Sequence, residues 1–236
     1  EDGDIIDDGD FLDEGVLDNF ESDELTNYEF GIKSQMWDGR LIANVSGFYA
    51  RWRKIQSHQF FEGLPDVDNV GNARIYGAEL DVSFHPTANL ELRVNGSLSD
   101  SRLTKTDFRF GAEVGDALPG APKYSAGASA RYEFAVSAAL RAVVSADYVY
   151  VDGTDLLFDK FVTPRNEAYQ LSNVRAALGN GKWQLTAYVN NLFKSESNVF
   201  AFGNSLSIAE FDFFSTTNQY TPLRPRTIGL ELSYRY

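Results

Sequence analysis

The last thirteen residues, 224–236, read Arg-Pro-Arg-Thr-Ile-Gly-Leu-Glu-Leu-Ser-Tyr-Arg-Tyr. From Thr227 onward, polar and apolar positions alternate strictly, and the chain ends on an aromatic residue. The apolar positions are Ile228, Leu230, Leu232, Tyr234 and Tyr236. Period-two alternation is typical of a β-strand with one apolar and one polar face. The stretch therefore predicts a C-terminal strand with Tyr236 at a membrane–water interface, where aromatic side chains concentrate.

The same alternation recurs through most of the chain from residue 25 onward. In 124–134, one face collects Tyr124, Ala126, Ala128, Ala130, Tyr132 and Phe134. We predict nine strands, at 27–36, 41–56, 73–84, 90–104, 124–134, 139–151, 167–178, 183–194 and 224–236. The alternation in 167–178 breaks near Asn173, which predicts a β-bulge there. The chain thus divides into an acidic loop segment, 1–24, and an all-β region, 25–236.

The connections between these strands alternate between short and long. The short ones include the tight-turn signals Asp38-Gly39 and Asn180-Gly181. The long ones are 57–72, 105–123, 152–166 and 195–223. Short turns on one side and long loops on the other are typical of an outer-membrane β-barrel. A soluble β-sandwich shows the same period, so the period alone leaves both architectures open.

The odd strand count bears on how such a barrel would close. Bacterial single-chain barrels have even counts, and an open sheet edge in lipid leaves backbone N–H and C=O groups unpaired. We therefore expect that this sheet does not close by itself. The remaining strands are expected in an N-terminal part outside these 236 residues.

Composition narrows the function classes. The chain has no cysteine, which excludes disulfides and thiol nucleophiles. Its net charge of −13 arises in residues 1–24, which hold 12 Asp or Glu and no Lys or Arg, while the rest holds 22 acidic and 21 basic residues. The sequence therefore indicates no basic surface for nucleic acid.

The two histidines argue against catalysis. His58 falls in a long loop and His85 in a short turn, so a barrel would place them on opposite sides of the membrane. They cannot together assist a nucleophile or form a histidine-rich metal site. We predict that the protein is not an enzyme and needs no cofactor.

The acidic segment has two interpretations. Asp4, Asp7, Asp8 and Asp10 surround Gly9 in a composition like that of calcium-binding loops. The spacing fails the EF-hand pattern, because Ile6 or Leu12 stands where a ligand is required. A solvated extracellular loop is the favoured interpretation, and calcium binding is the alternative.

Five motifs occur in the order found in one known family. They are Asn27-Tyr28-Glu29-Phe30-Gly31-Ile32-Lys33, Asn72-Ala73-Arg74-Ile75-Tyr76-Gly77-Ala78-Glu79-Leu80, Leu118-Pro119-Gly120-Ala121-Pro122-Lys123-Tyr124, Val189-Asn190-Asn191-Leu192-Phe193 and the terminal strand. Each resembles a barrel-strand motif of the TonB-dependent receptors. The resemblance spans 25–236 and implies an antiparallel transmembrane β-barrel, of which this chain supplies the last nine of 22 strands. It also implies that the Ton box, the plug domain and the first strands lie upstream.

The resemblance implies a transporter in the outer membrane of a Gram-negative bacterium. It would take up a scarce nutrient, such as an iron–siderophore complex, cobalamin or a glycan, driven by a TonB–ExbB–ExbD system that acts on the plug. The recognition signal for the barrel assembly machinery would be Ile228, Leu230, Leu232, Tyr234 and Tyr236. Two alternatives stay open: a structural or adhesive barrel without transport, and a soluble all-β binding module.

Ligand contacts are expected in the extracellular loops. The loop 195–223 is rich in phenylalanine, and aromatic side chains are favoured in binding sites. The candidates are Phe200, Phe202, Phe211, Phe213, Phe214 and, in the loop 57–72, His58. Packing of these phenylalanines against one another or against neighbouring loops is the simpler alternative.

Overall fold

The computed structural model describes residues 20–61, 64–106, 112–156, 158, 165–202 and 219–235. Its strands are β1 (Glu24–Met36), β2 (Leu41–Phe61), β3 (Leu64–Thr87), β4 (Leu90–Thr106), β5 (Tyr124–Ala135), β6 (Arg141–Val151), β7 (Tyr169–Gly179), β8 (Trp183–Asn190), β9 (Asn198–Phe202), β10 (Gln219–Pro222) and β11 (Thr227–Tyr234). The described residues contain no helix long and apolar enough for a membrane crossing.

Nine strands form one antiparallel sheet in the order β1-β2-β3-β4-β5-β6-β7-β8-β11, and β9 pairs with β10 alone. The prediction of an all-β, antiparallel, nine-stranded arrangement is confirmed. Within the described residues, β1 pairs only with β2 and β11 only with β8, so both outer edges of the sheet are open.

The sheet separates apolar and polar side chains onto two faces. Directly paired residues share a face, and the register joins Ile32 to Val45, Val45 to Leu80 and Leu80 to Gly96. The same apolar face ends on β11, where Leu230 and Leu232 are 74% and 71% exposed. We call the two sides the apolar face and the polar face. An exposed apolar face across nine strands is far larger than the patches that soluble monomers tolerate.

The turn between β1 and β2 shows how local chemistry fixes this register. Asp38 and Gly39 have φ values of 54° and 84°, and the Arg40 N–H donates to the Trp37 carbonyl at 3.1 Å. Positive φ at both central residues defines a type I′ turn, whose twist matches that of the paired strands. The Asp-Gly signal therefore predicted this hairpin correctly.

Two local predictions were wrong. Residues 57–72 were expected to form a loop but are largely strand, because β2 continues to Phe61 and β3 starts at Leu64. The two strands stay paired over this extension, which we call the arm. No bulge occurs at Asn173, which keeps regular register with Asp147 of β6. Its side chain lies on the polar face and donates to the Asp147 carboxylate at 2.7 Å, so the polar residue fits the alternation.

The buried apolar residues gather where the polar face meets the long loops. This rim core consists of Ile55, Val70, Ala73, Leu103, Ala112 and Leu118. The segment after β4 folds back onto the sheet: Leu103 N–H donates to the Asp116 carbonyl at 2.9 Å, and Leu118 N–H donates to Ser101 Oγ at 3.2 Å. The connection after β4 therefore covers the polar face at the end of the sheet where the long loops lie, while the rest of that face stays open.

Candidate functional site

The polar face carries ion-paired side chains near the end of the sheet that holds the short turns. Glu133 accepts from Arg131 at 3.2 Å and from Arg141 at 3.0 Å, which ties β5 to β6. On β4, Glu91 and Arg93 form a further close ion pair. Charged groups that satisfy one another this way suit a hydrated or protein-filled interior and not a hydrocarbon environment.

Nearer the middle of the sheet, the polar face forms an acidic concavity of about 370 Å³. Glu29, Glu79 and Asp81 line it together with Lys33 and Asn44. Carboxylates outnumber the single ammonium group three to one, so the concavity favours cationic groups placed against it. The concavity opens widely to the polar side of the sheet.

Residues just before β1 are attached to the arm formed by β2 and β3. Asn69 donates from its side-chain amide to the Glu21 carbonyl at 2.9 Å and to the Lys54 carbonyl at 2.7 Å. The Glu21 carboxylate also forms a close ion pair with Lys54. Hydrogen bonding and charge attraction from Lys54 lower the pKa of Glu21 below its usual value. This contact holds the entry to β1 against the bulged part of β2.

At the loop end of β8, Asn191 connects three segments. It is 2% exposed and adopts a left-handed conformation with a φ of 53°. Its side chain accepts from the Ser195 N–H at 2.8 Å and donates to the Ser195 and Arg224 carbonyls at 2.9 and 3.0 Å. Its own N–H donates to Asn173 Oδ1 at 3.1 Å. Asn191 therefore fixes the geometry of the connection that leads into β11.

The residues singled out from the sequence fall in separate places. Ile228, Leu230, Leu232 and Tyr234 share the exposed apolar face of β11. His58 lies in the distal arm of β2, seventeen residues along the strand from Leu41, whereas His85 donates from its N–H to the Arg40 carbonyl at the opposite end of the sheet. The two histidines are not brought together.

Other candidates lie at or beyond the limit of what the structure describes. Only the backbone of Phe200 and Phe202 is described, in β9, and likewise for His58. Several fall outside the described residues: Tyr236, Phe211, Phe213, Phe214 and the aspartates Asp4, Asp7, Asp8 and Asp10. Elsewhere, the described part of the chain contains no cluster of three or more His, Cys, Asp or Glu residues placed to hold a metal ion.

Sequence reasoning missed the structural roles of two motif glycines. A Cβ at Gly229 would lie within 3.0 Å of the Tyr188 ring. A Cβ at Gly77 would lie within 3.0 Å of both the Phe48 ring and the Leu98 carbonyl oxygen. Both glycines lie directly opposite the aromatic residue on the neighbouring strand. Each glycine leaves room for the aromatic ring of the neighbouring strand, and the recurrence of glycine at fixed places in the motifs was the available signal.

Comparison with known families accounts for this arrangement. The family profile described as TonB dependent receptor-like, beta-barrel matches residues 8–192. The chain belongs to the TonB-dependent receptor family. The motif-based resemblance is therefore confirmed, and the alternating turns, open edges and two-faced sheet are those of part of a TonB-dependent receptor barrel.

Solved TonB-dependent receptors share the fold over most of the chain. The ferric yersiniabactin uptake receptor FyuA of Yersinia pestis superposes with a TM-score of 0.72 at 17% identity, over 90% of this chain and 30% of that one. The siderophore receptor PiuA of Acinetobacter baumannii gives 0.69 at 21% identity, over 90% and 28%. The ferric-catecholate import receptor Fiu of E. coli, in its closed form, gives 0.65 at 19% identity, over 90% and 27%. The chain thus spans less than a third of the length of these receptors.

Proposed function

We propose that this chain forms part of the wall of an outer-membrane transporter that takes up a scarce nutrient. The observation that carries the proposal is the pair of opposite faces that run across all nine strands. One face exposes large apolar side chains such as Phe30 and Leu230, and the other holds ion pairs such as Arg131–Glu133. Hydrocarbon solvates the first face, and a hydrated or plugged interior solvates the second.

The open edges of β1 and β11 support a larger closed barrel. Unpaired backbone groups at these edges would cost several kcal/mol each in lipid, so each edge needs a partner strand. We propose that further strands of the same receptor pair with both edges, to give 22 strands, and that a plug domain fills the interior. Residues 25–236 would then be barrel wall and residues 1–24 an extracellular loop segment, with calcium binding at Asp4, Asp7, Asp8 and Asp10 as its alternative role.

Energy for uptake would come from TonB–ExbB–ExbD acting on the plug. The acidic concavity around Glu29, Glu79 and Asp81 gives cationic side chains of the plug a place to rest on the barrel wall. The exposed apolar alternation of β11, completed by Tyr236, would serve as the signal for the barrel assembly machinery. These partners are inferred from the family to which the chain belongs and not from a contact within this chain.

Iron–siderophore complexes are the substrate class to test first, followed by cobalamin and glycans. This order is supported by FyuA, PiuA and Fiu, which are named as a ferric yersiniabactin uptake receptor, a siderophore receptor and a ferric-catecholate import receptor. The ligand would meet the loop phenylalanines, Phe200, Phe202, Phe211, Phe213 and Phe214, and His58 on the arm of β2 and β3.

Uptake in cells tests the proposal. The full-length gene product is expressed in a Gram-negative strain stripped of its own siderophore receptors, with or without a functional TonB. Radioactive iron is supplied on a panel of siderophores, and labelled cobalamin and glycans are supplied in parallel. We expect accumulation of one substrate only when both the receptor and TonB are present. Surface binding without accumulation would favour the adhesive barrel, and recovery of the protein in the soluble fraction would favour a soluble module.

The ligand residues are tested in the same cells. Replacing Phe200 and Phe213 with alanine is expected to weaken substrate binding at unchanged surface abundance. The matched control is Phe193→Ala, because Phe193 lies in the same connection and is 65% exposed. Equal binding by all variants would remove the phenylalanine loop from the site.

A further inference from the structure

Three arginines stand in one row on the apolar face. Arg51 of β2 is paired with Arg74 of β3, and Arg74 is paired with Arg102 of β4. We call these residues the arginine row. One step closer to the short turns, a row of tyrosines crosses β1, β2 and β3 on the same face: Tyr28, Tyr49 and Tyr76.

The height of the arginine row places it at a membrane surface. Near the short turns, the apolar face of these strands carries Leu41, Phe84 and Leu92, which are also paired in register. Each lies ten residues from the arginine of its own strand. At ~3.3 Å per residue and a strand tilt of about 40°, ten residues climb roughly 25 Å, the usual height of the apolar band of an outer-membrane barrel. Tyrosine typically marks the interface, so the arginines lie at the level of the lipid headgroups on the loop side.

The row carries more positive charge than the protein neutralises. Arg102 donates to the Asp100 carboxylate at 2.7 Å. Arg51 donates to the Tyr49 hydroxyl at 3.3 Å and stands 5.6 Å from the centroid of that ring. Arg74 is exposed, and in the described part of the chain it forms no ion pair. Like charges placed directly opposite on adjacent strands destabilise a sheet, so a bound anion would stabilise this arrangement.

We propose that the arginine row binds the phosphate groups of a phosphorylated glycolipid in the outer leaflet. Guanidinium groups bind phosphate through two parallel hydrogen bonds, which a lysine cannot reproduce. Three arginines on adjacent strands span about 10 Å, enough for one phosphorylated headgroup lying against the barrel wall. The inference rests on the outer-membrane placement proposed above, and it assigns a lipid site on the outside of the wall, separate from the transport path.

Binding of bis-phosphorylated lipid A to the purified full-length protein tests this site. The lipid is supplied in phosphatidylcholine bicelles at fixed salt, and wild type is compared with Arg74→Gln and with the triple variant in which Arg51, Arg74 and Arg102 are all Gln. We expect the apparent Kd to rise about tenfold for Arg74→Gln and further for the triple variant. Arg74→Lys keeps the charge and is expected to fall between the wild type and Arg74→Gln.

The matched control is Arg175→Gln. Arg175 is exposed like Arg74, but its register with Ser145 and Tyr188 puts it on the polar face. An equal loss of binding in Arg175→Gln, no loss in the triple variant, or equal binding of dephosphorylated lipid A would overturn the proposal. Inorganic phosphate that competes at the affinity of the lipid would reassign the row to a free anion. Mobility on unheated gels confirms folding, and Arg51→Gln replaces Arg74→Gln if the latter does not fold.

Nutrient uptake separates this inference from the proposed function. The arginine row lies on the apolar face, away from the acidic concavity, so the triple variant is expected to keep substrate selectivity. Loss of lipid binding with uptake retained supports the lipid site. Wild-type lipid binding in every arginine variant, with uptake retained, would overturn the lipid site and leave the transport proposal standing.

Discussion

The side-chain amide of Asn191 donates a hydrogen bond of 3.0 Å to the backbone carbonyl of Arg224. These residues lie at the end of β8 and just before β11, which are neighbours in the sheet although β9 and β10 intervene in the chain. The bond therefore closes the longest connection of the described sheet at its base. It gives a physical reason for an asparagine in the Val-Asn-Asn-Leu-Phe motif, since asparagine both bonds to backbone groups and tolerates positive φ.

Removing the Asn191 side chain should destabilise the barrel end that contains β11. In Asn191→Ala, partly buried hydrogen bonds to the backbone of Ser195 and Arg224 are lost, at about 0.5–1.5 kcal/mol each, and alanine adds about 1–2 kcal/mol for its left-handed backbone. Asn191→Gly loses the same bonds without the backbone cost. We expect the temperature at which the folded band disappears on gels to fall in the order wild type, Gly, Ala.

The two Asn191 variants separate two contributions. A glycine variant as stable as the wild type would show that the hydrogen bonds contribute nothing and that only the positive φ matters. An alanine variant as stable as the glycine variant would show that the positive φ contributes nothing and that only the hydrogen bonds matter.

An arginine on the apolar face should cost more than one on the polar face. Val45 lies midway between Leu41 and Tyr49 on the apolar face and is 48% exposed, while its neighbour Asn44 lines the acidic concavity. At the bilayer midplane, arginine on the lipid side costs about 2–4 kcal/mol. We expect Val45→Arg to reduce the folded fraction in membranes, and Asn44→Arg to leave it unchanged or raise it near Glu79 and Asp81.

This pair measures which face touches lipid. Folding yield into phosphatidylcholine vesicles, followed by band mobility without heating, gives the folded fraction of each variant. If Asn44→Arg were the more damaging change, the assignment of the two faces would be reversed.

The sequence predicted the sheet well where lipid imposes a pattern. Alternation of Leu and Ile with polar residues located β11 to within a few residues, and Asp38-Gly39 located the first turn. Beyond the apolar band that constraint ends, and there the prediction failed. Residues 57–72 contain Gly63, Pro65 and Gly71, which are depleted in strands, yet backbone pairing extends through the arm without an alternating pattern.

The sites were less accessible to sequence reasoning than the fold. The arginine row exists only because register brings together Arg51, Arg74 and Arg102, which are 23 and 28 residues apart in the chain. Sequence alternation shows which face each arginine occupies, but it does not show which residue lies opposite. The same limit applies to Gly229, whose partner Tyr188 belongs to a strand 41 residues earlier.

Gly229→Ala should weaken the last strand in a way that a second substitution repairs. The new methyl group would overlap the Tyr188 ring, which is held on the polar face of β8. Such overpacking costs about 1–3 kcal/mol, and the ring can be removed by Tyr188→Ala. We expect the double variant to be more stable than the sum of the two single changes, with a coupling of about 0.5–3 kcal/mol in a double-mutant cycle.

Gly77→Ala should destabilise the protein more than Gly229→Ala does, and removal of the opposing aromatic ring should not restore its stability. Here the new methyl group would approach the Leu98 carbonyl oxygen of β4 as well as the Phe48 ring. A side chain can be removed, but the backbone of a paired strand cannot move without breaking the ladder between β3 and β4. Phe48→Ala should therefore restore little stability to Gly77→Ala, whereas Tyr188→Ala restores Gly229→Ala. Heat-modifiable mobility of all six variants measures both cycles, and equal rescue at the two glycines would show that the Leu98 carbonyl imposes no constraint.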